Sequence, residues 1–213
     1  MKASLRRLGL ALAAPVLALL VAFVVTSVVL LLAGDPVVAV WTQLLTAPRP
    51  RLMVGIINGA VVFYLSAIAV AIGFRMNLFN IGVDGQYRIA AFAAAVFAGQ
   101  GWLPGPLNIF VSLLIAVVAG ALWAGIAGWL KVSRGVSEVV STIMLNFIAT
   151  GLVSYLLFRV ADSTTGSNVT NTKVIPKTSQ VPGLALIPGT PNKIYGFILL
   201  SVLIGVAYSV VLI

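Results

Sequence analysis

Residues 8–33 read LGLALAAPVLALLVAFVVTSVVLLLA, a stretch without a single charged side chain. At about 1.5 Å per residue a helix over this run reaches about 39 Å, more than the roughly 30 Å of a bilayer's hydrocarbon core. A secretory signal has an apolar region only about half as long and ends in a small-x-small cleavage site, which this run lacks. The stretch is therefore expected to remain in the protein as an uncleaved first membrane span, preceded by Lys2, Arg6 and Arg7.

Working outward, similar runs recur. Six spans can be drawn, at about 8–33, 52–74, 80–100, 107–130, 137–158 and 194–213, with residues 160–193 as an external loop rich in Ser, Thr, Asn, Pro and Gly. With 61% hydrophobic and 8% charged residues among 213, and a mean hydropathy of +1.16, the composition lies outside the range of soluble domains. The fold class expected is all-α, a polytopic transmembrane helical bundle forming a single domain over 1–213. A membrane β-barrel would show short alternating segments instead. Because the chain stops at Ile213 inside an apolar run, the natural protein is expected to continue. The Asn168-Val169-Thr170 sequon is a common chance match and carries no weight.

Thirteen Lys and Arg against four acids give a net charge of +9. The basic residues sit between apolar runs, a placement suited to anionic lipid head groups and not to nucleic acid. Lys2, Arg6, Arg7, Lys131 and Arg134 favour a cytoplasmic N-terminus, while Arg49, Arg51, Lys173, Lys177 and Lys193 fall on the other side. The absence of His and Cys removes imidazole bases, thiol nucleophiles and most zinc chemistry, so no metal site and no catalytic residue is expected. An intramembrane enzyme would need Asp84 and Glu138 to meet across helices.

The third span breaks the apolar pattern. From Ile89 to Gly101 a helix covers only about 20 Å, so the missing length must come from Asn80-Ile81-Gly82-Val83-Asp84-Gly85-Gln86-Tyr87-Arg88. That places Asp84 at membrane depth, where Arg88, four residues on, can neutralise it as an ion pair. Gly82, Gly85, Asn77 and Asn80 tolerate non-helical backbone, which survives in a membrane only against protein or a water-filled cavity. Two readings follow: a solvated hairpin, or a discontinuous helix beside a permeation path.

The fifth span carries Glu138, Thr142, Asn146, Thr150 and Ser154 at every fourth position, one polar stripe that should face the bundle. It either bonds to neighbouring helices or lines a hydrated path. Gly55 with Gly59, Ala121 with Gly125, and Ala124 with Gly128 are small pairs four apart, expected at close helix contacts. Trp102 and Trp123 read as interfacial or lipid-facing anchors.

Phe79-Asn80-Ile81-Gly82-Val83-Asp84-Gly85-Gln86 and Glu138-Val139-Val140-Ser141-Thr142-Ile143-Met144-Leu145-Asn146 resemble the two signature stretches of bacterial nucleoside permeases. These belong to the ABC importer branch that includes ribose-type and branched-chain amino-acid permeases. Asp84 stands where the family more often has Glu, and Ser137 where it has Asn. The resemblance implies a bacterial inner-membrane permease subunit, pairing with a second permease subunit, cytoplasmic ABC ATPase subunits and an extracytoplasmic solute-binding protein. The family's ATPase-docking loop lies beyond the point where this chain stops. With no glycine-rich loop ending in Gly-Lys-Ser/Thr, this chain should bind no cofactor itself, and ATP and Mg should sit on the partner. Asn77, Asn80, Asp84, Gln86, Glu138, Thr142, Asn146 and Thr150 are the candidates for the solute path. The alternatives are the same machine carrying simple sugars, a furanose autoinducer or branched-chain amino acids, and, more distantly, a passive channel or membrane scaffold.

Overall fold

The computed structural model describes residues 2–161 and 170–212, so Asn168 and Val169 of the sequon lie outside the described residues. Every regular element is helical: α1 (Lys2–Ala33), α2 (Val37–Leu45), α3 (Pro50–Arg75), α4 (Val83–Gln100), α5 (Gly105–Arg134), α6 (Glu138–Val160), a 3-10 turn (Lys177–Ser179) and α7 (Phe197–Leu212). Six of these helices overlap the six segments drawn from the sequence. Among the described residues four segments are long and apolar enough to cross a membrane: Ala13–Ala33, Pro50–Arg75, Gly105–Arg134 and Glu138–Val160. Helix α4, with its charged first turns, and the 16-residue α7 fall short of that measure.

Where one domain was expected, the chain divides into two compact units, 1–49 and 50–213. In the first unit, α2 is a short amphipathic helix absent from the sequence reading. It folds back on α1, where the Trp41 ring lies 4.4 Å from Phe23 and its Nε1 donates to Ser27 Oγ at 2.9 Å. An indole buries much apolar area yet needs a partner for its N–H, and Ser27 supplies it.

In the second unit α4 packs against α5 and α6, and α3 packs against α7. The α4–α5 contact is close because Gly120 presents bare backbone to Ala90; a Cβ there would meet the Ala90 Cβ at 3.5 Å. Where α4 ends, Gly101 takes a left-handed φ of 63°, and the fully buried Asn108 of α5 donates its Nδ2 to the Ala98 carbonyl at 3.0 Å. The same carbonyl accepts from the Gly101 amide at 3.3 Å, so Asn108 adds a second donor that ties the start of α5 to the end of α4.

The segment from Lys173 to Gly196 lies over this end of the bundle. A Cβ on Gly99 would run into Lys173, and one on Gly105 into Thr178. Leu184 and Ile194 exchange backbone hydrogen bonds at 2.8 and 2.9 Å, giving the loop one antiparallel bridge. At the opposite end lie the break between α3 and α4 and the tight α5–α6 turn, where Gly135 has a φ of 66°.

A braced helix junction as candidate functional site

Helix α3 ends at Arg75, and Asn77, two residues on, adopts a left-handed φ of 59°. Asn tolerates that region better than other non-glycine residues. Its amide donates to the Phe74 carbonyl at 3.1 Å, and the Leu78 amide donates to Gly73 at 2.9 Å, the paired bonds that close a helix C-terminus. Residues 76–82 then run outside any helix before α4 begins.

Asn80 organises the restart. Its Oδ1 accepts from the Gly82 amide and from Gln86 Nε2, both at 3.0 Å, and its Nδ2 donates back to Gln86 Oε1 at 3.3 Å. Two side-chain amides thus face each other across the first turn. Gly82 has to be small: a Cβ there would stand 3.0 Å from Thr142 Cβ and 3.2 Å from Asn80 Oδ1. The first residue of a helix usually caps it with its own side-chain oxygen, and Gly82 has none.

Helix α6 provides the missing cap. Asn146 Oδ1 accepts from the Gly85 amide at 2.8 Å, and Asn146 Nδ2 donates to the Ile81 carbonyl at 3.0 Å. One side chain on α6 therefore satisfies a donor and an acceptor on either side of the α4 start. Gly85 is buried against it, and a Cβ there would fall 2.8 Å from Asn146 Oδ1 and 3.0 Å from its Cα.

Asp84 and Arg88 sit on the opposite, outward face of α4. Arg88 Nε donates to Asp84 Oδ2 at 2.8 Å, and both side chains are about half exposed. Tyr87 shares that face and is also exposed. Glu138, at the start of α6, pairs with Lys131 at the end of α5, Nζ to Oε1 at 2.7 Å. The sequence reading did not pair these two. The available signal was a cation in the last turn of one helix and an acid in the first turn of the next, joined by a short turn at Gly135.

The stripe on α6 behaves differently from its expectation. Thr142, Thr150 and Ser154 each bond the carbonyl four residues back on their own helix, at 2.7, 3.0 and 2.8 Å, so their hydroxyls need neither a neighbouring helix nor water. Spacing by four drifts about 40° per step, so the stripe winds off the packed face. Thr142 is buried, Asn146 half-buried, and Thr150 and Ser154 exposed.

The glycines of the small-residue pairs make no close contact among the described residues. A Cβ added at Gly55, Gly59, Gly125 or Gly128 would meet no atom within 4 Å, and Ala121 is exposed while Ala124 is only partly covered. Close helix approach runs through Gly82 and Gly85 against α6, Gly120 against α4, and Gly205 of α7 against Tyr64 of α3. Trp123 is half-buried: its indole nitrogen is enclosed, and its ring lines an apolar cavity of about 420 Å³ with Phe92, Phe97 and Trp102. Among the described residues no group of three or more potential metal ligands gathers.

Among known proteins, the family model for the permease component of the branched-chain amino acid transport system matches residues 52–213. A glucose ABC transporter permease protein of Haloferax volcanii is 33% identical over 182 residues, covering 84% of this chain and 48% of that protein. A guanosine ABC transporter permease protein of Bacillus subtilis is 41% identical over 99 residues, 46% of this chain and 28% of that one. A nucleoside ABC transporter permease protein of Lactococcus lactis is 36% identical over 86 residues, 39% of this chain and 23% of that protein. The chain thus spans about half or less of the length of these relatives. No solved structure matches. The match over residues 52–213 takes in the braced junction and both stretches that build it, and the chain belongs to the family of branched-chain amino acid transport system permease components.

Proposed function

We propose that this chain is a membrane-spanning subunit of an ATP-driven importer for nucleosides. The observation that carries the reading is the junction itself: a helix interrupted at residues 76–82, braced by Asn80, Gln86 and Asn146, that turns the Asp84–Arg88 pair outward from its own bundle. Irregular backbone and ionised side chains inside a membrane segment persist where they border protein or a hydrated path, and a path formed between this subunit and a second permease subunit meets that condition. Asp84 and Arg88 are the candidates that border it. Asn77, Asn80, Gln86 and Asn146 hold the helix in place, and Glu138 and Thr142 secure the base of α6 behind it.

The guanosine and nucleoside permeases among the relatives favour a nucleoside cargo. A simple sugar is the second reading, favoured by the glucose permease, whose similarity covers more of this chain. In either case the energy comes from cytoplasmic ATPase subunits that bind ATP and Mg, and the solute from an extracytoplasmic binding protein. On this reading the N-terminus lies in the cytoplasm of a bacterial cell.

Uptake of labelled guanosine, glucose and leucine in cells with and without the gene tests the proposal. Gene-dependent guanosine uptake that stops when ATP is depleted is the expected result. Uptake of glucose alone moves the cargo to sugars, and flux that survives ATP depletion refutes the importer and points to a channel.

A further inference from the structure

Asn58, in the N-terminal half of α3, holds a second site together. Its Nδ2 donates to the Lys193 carbonyl at 3.2 Å and its Oδ1 accepts from the Tyr195 amide at 2.7 Å. The intervening Ile194 is 3% exposed and pairs through its backbone with Leu184. The segment Lys193–Tyr195 is therefore gripped along both edges. In extended backbone, alternate side chains point to opposite faces, so with Ile194 turned inward Lys193 and Tyr195 face the other way.

They face a cavity of about 580 Å³, lined also by Tyr87 of α4 and by Asn192. Its floor is the stretch of α3 that carries Gly55 and Gly59. The two glycines, which touch no other helix of this chain, leave the helix surface flat there; a Cβ on either would meet nothing within 4 Å.

We infer that this cavity is a solute-binding chamber for a neutral, hydroxyl-rich solute with a flat or apolar ring face. This rests on the importer reading above. The volume is that of a small-molecule site. Two tyrosines offer ring faces for stacking and phenol groups for hydroxyls. The Asn192 amide can both donate and accept, as a sugar hydroxyl or a base edge requires. Lys193 is the charged residue of the lining, and no carboxylate joins it. The nearby Asp84 is already paired with Arg88, so an amino acid's ammonium group finds no free counter-charge here. Nucleosides and sugars fit that chemistry, and leucine does not.

These 213 residues hold no cysteine, so with any cysteines in the rest of the gene and in its partner subunits changed to serine an introduced thiol reports alone. Gly59→Cys, in the natural gene with its partner subunits, places one thiol on the chamber floor, to be labelled in membranes with a small methanethiosulfonate reagent. Gly55→Cys is the second variant, should the first fail to reach the membrane. The expected result is that whichever of guanosine or glucose the parent imports slows labelling about tenfold at roughly ten times its KM, by simple mass action, and that leucine does not. Unchanged labelling in the presence of a solute that the parent imports overturns the chamber and leaves the importer standing. Protection by leucine alone overturns the charge argument. A parent that imports none of the three overturns both readings together.

Discussion

The Gly85 amide and the Asn146 side-chain oxygen meet at 2.8 Å, although 61 residues separate them in the chain. A helix start leaves its first amides without partners, and they are ordinarily satisfied by the residue that opens the helix. Here that residue is Gly82, which is pressed against Thr142 and can carry no side chain. The cap has moved to a neighbouring helix, so the position of α4 depends on α6 and the two are fixed as one body.

Asn146→Ala should therefore act mainly on folding. It leaves the Gly85 amide and the Ile81 carbonyl unpaired in a partly buried position, a loss of about 1–3 kcal/mol for the buried polar groups. Thermal unfolding in detergent should show a lowered midpoint, with faster proteolysis near residues 76–86. Asn146→Asp keeps the acceptor for Gly85 but sets a carboxylate oxygen against the Ile81 carbonyl, and should fall between the two. A parental melting temperature for Asn146→Ala refutes the bracing role.

Glycine positions separate into two kinds. Gly85→Ala forces a methyl to within 2.8–3.0 Å of Asn146, including its main chain, whereas Gly59→Ala adds a methyl to open space. Overpacking of this sort costs about 1–3 kcal/mol. Gly85→Ala should lower the amount of folded protein in the membrane while Gly59→Ala stays near the parent, as read by fluorescence size-exclusion of a tagged chain. Equal yields would show that α4 and α6 are not in the contact described.

How much of this was legible in the sequence follows from what each feature depends on. The helices were readable because unbroken apolar runs have one outcome in lipid. The break before α4 was readable from length alone, since Ile89–Gly101 is too short to span. Its bracing was not, because it rests on a contact between Gly85 and Asn146 that no local spacing reveals. The α6 stripe was over-read: a repeat of four looks continuous over two turns, but over four turns it carries Ser154 to the exposed side. The small pairs are ambiguous for a different reason, since a helix with two small residues has no address for them until its neighbours are placed. Gly55 and Gly59 proved to border a cavity, and the α2 hairpin was passed over because its apolar stretch is short.

The α5–α6 turn should depend on Gly135 and on the Lys131–Glu138 pair together. Gly135 sits at a φ of 66°, where a Cβ costs about 1–2 kcal/mol even though nothing crowds it. Gly135→Ala should lower the melting midpoint accordingly. Lys131→Met and Glu138→Gln should each destabilise the turn, and the double variant should recover part of the loss because no lone charge remains. A double variant worse than the sum of the singles would mean that each residue has a separate partner.

The Asp84–Arg88 pair decides which surroundings the outward face of α4 has. Both side chains are about half exposed on the chain, so the pair adds little to the fold in water. If that face met lipid, Asp84→Asn would leave Arg88 as a lone charge in an apolar medium, and the double variant Asp84→Asn/Arg88→Gln would insert better than either single change. If it borders a hydrated path, each single variant reaches the membrane at the parental level, because water screens the charge left behind. Uptake is then what suffers: each single change should lower it several-fold, and the double variant should not restore it, since the path loses both a donor fork and an acceptor that a passing solute can use. Membrane level by immunoblot and initial uptake rate, measured on the same cells, separate the two cases. Normal insertion with impaired uptake in all three variants is the expected result, and rescue of both quantities in the double variant would assign the face to lipid.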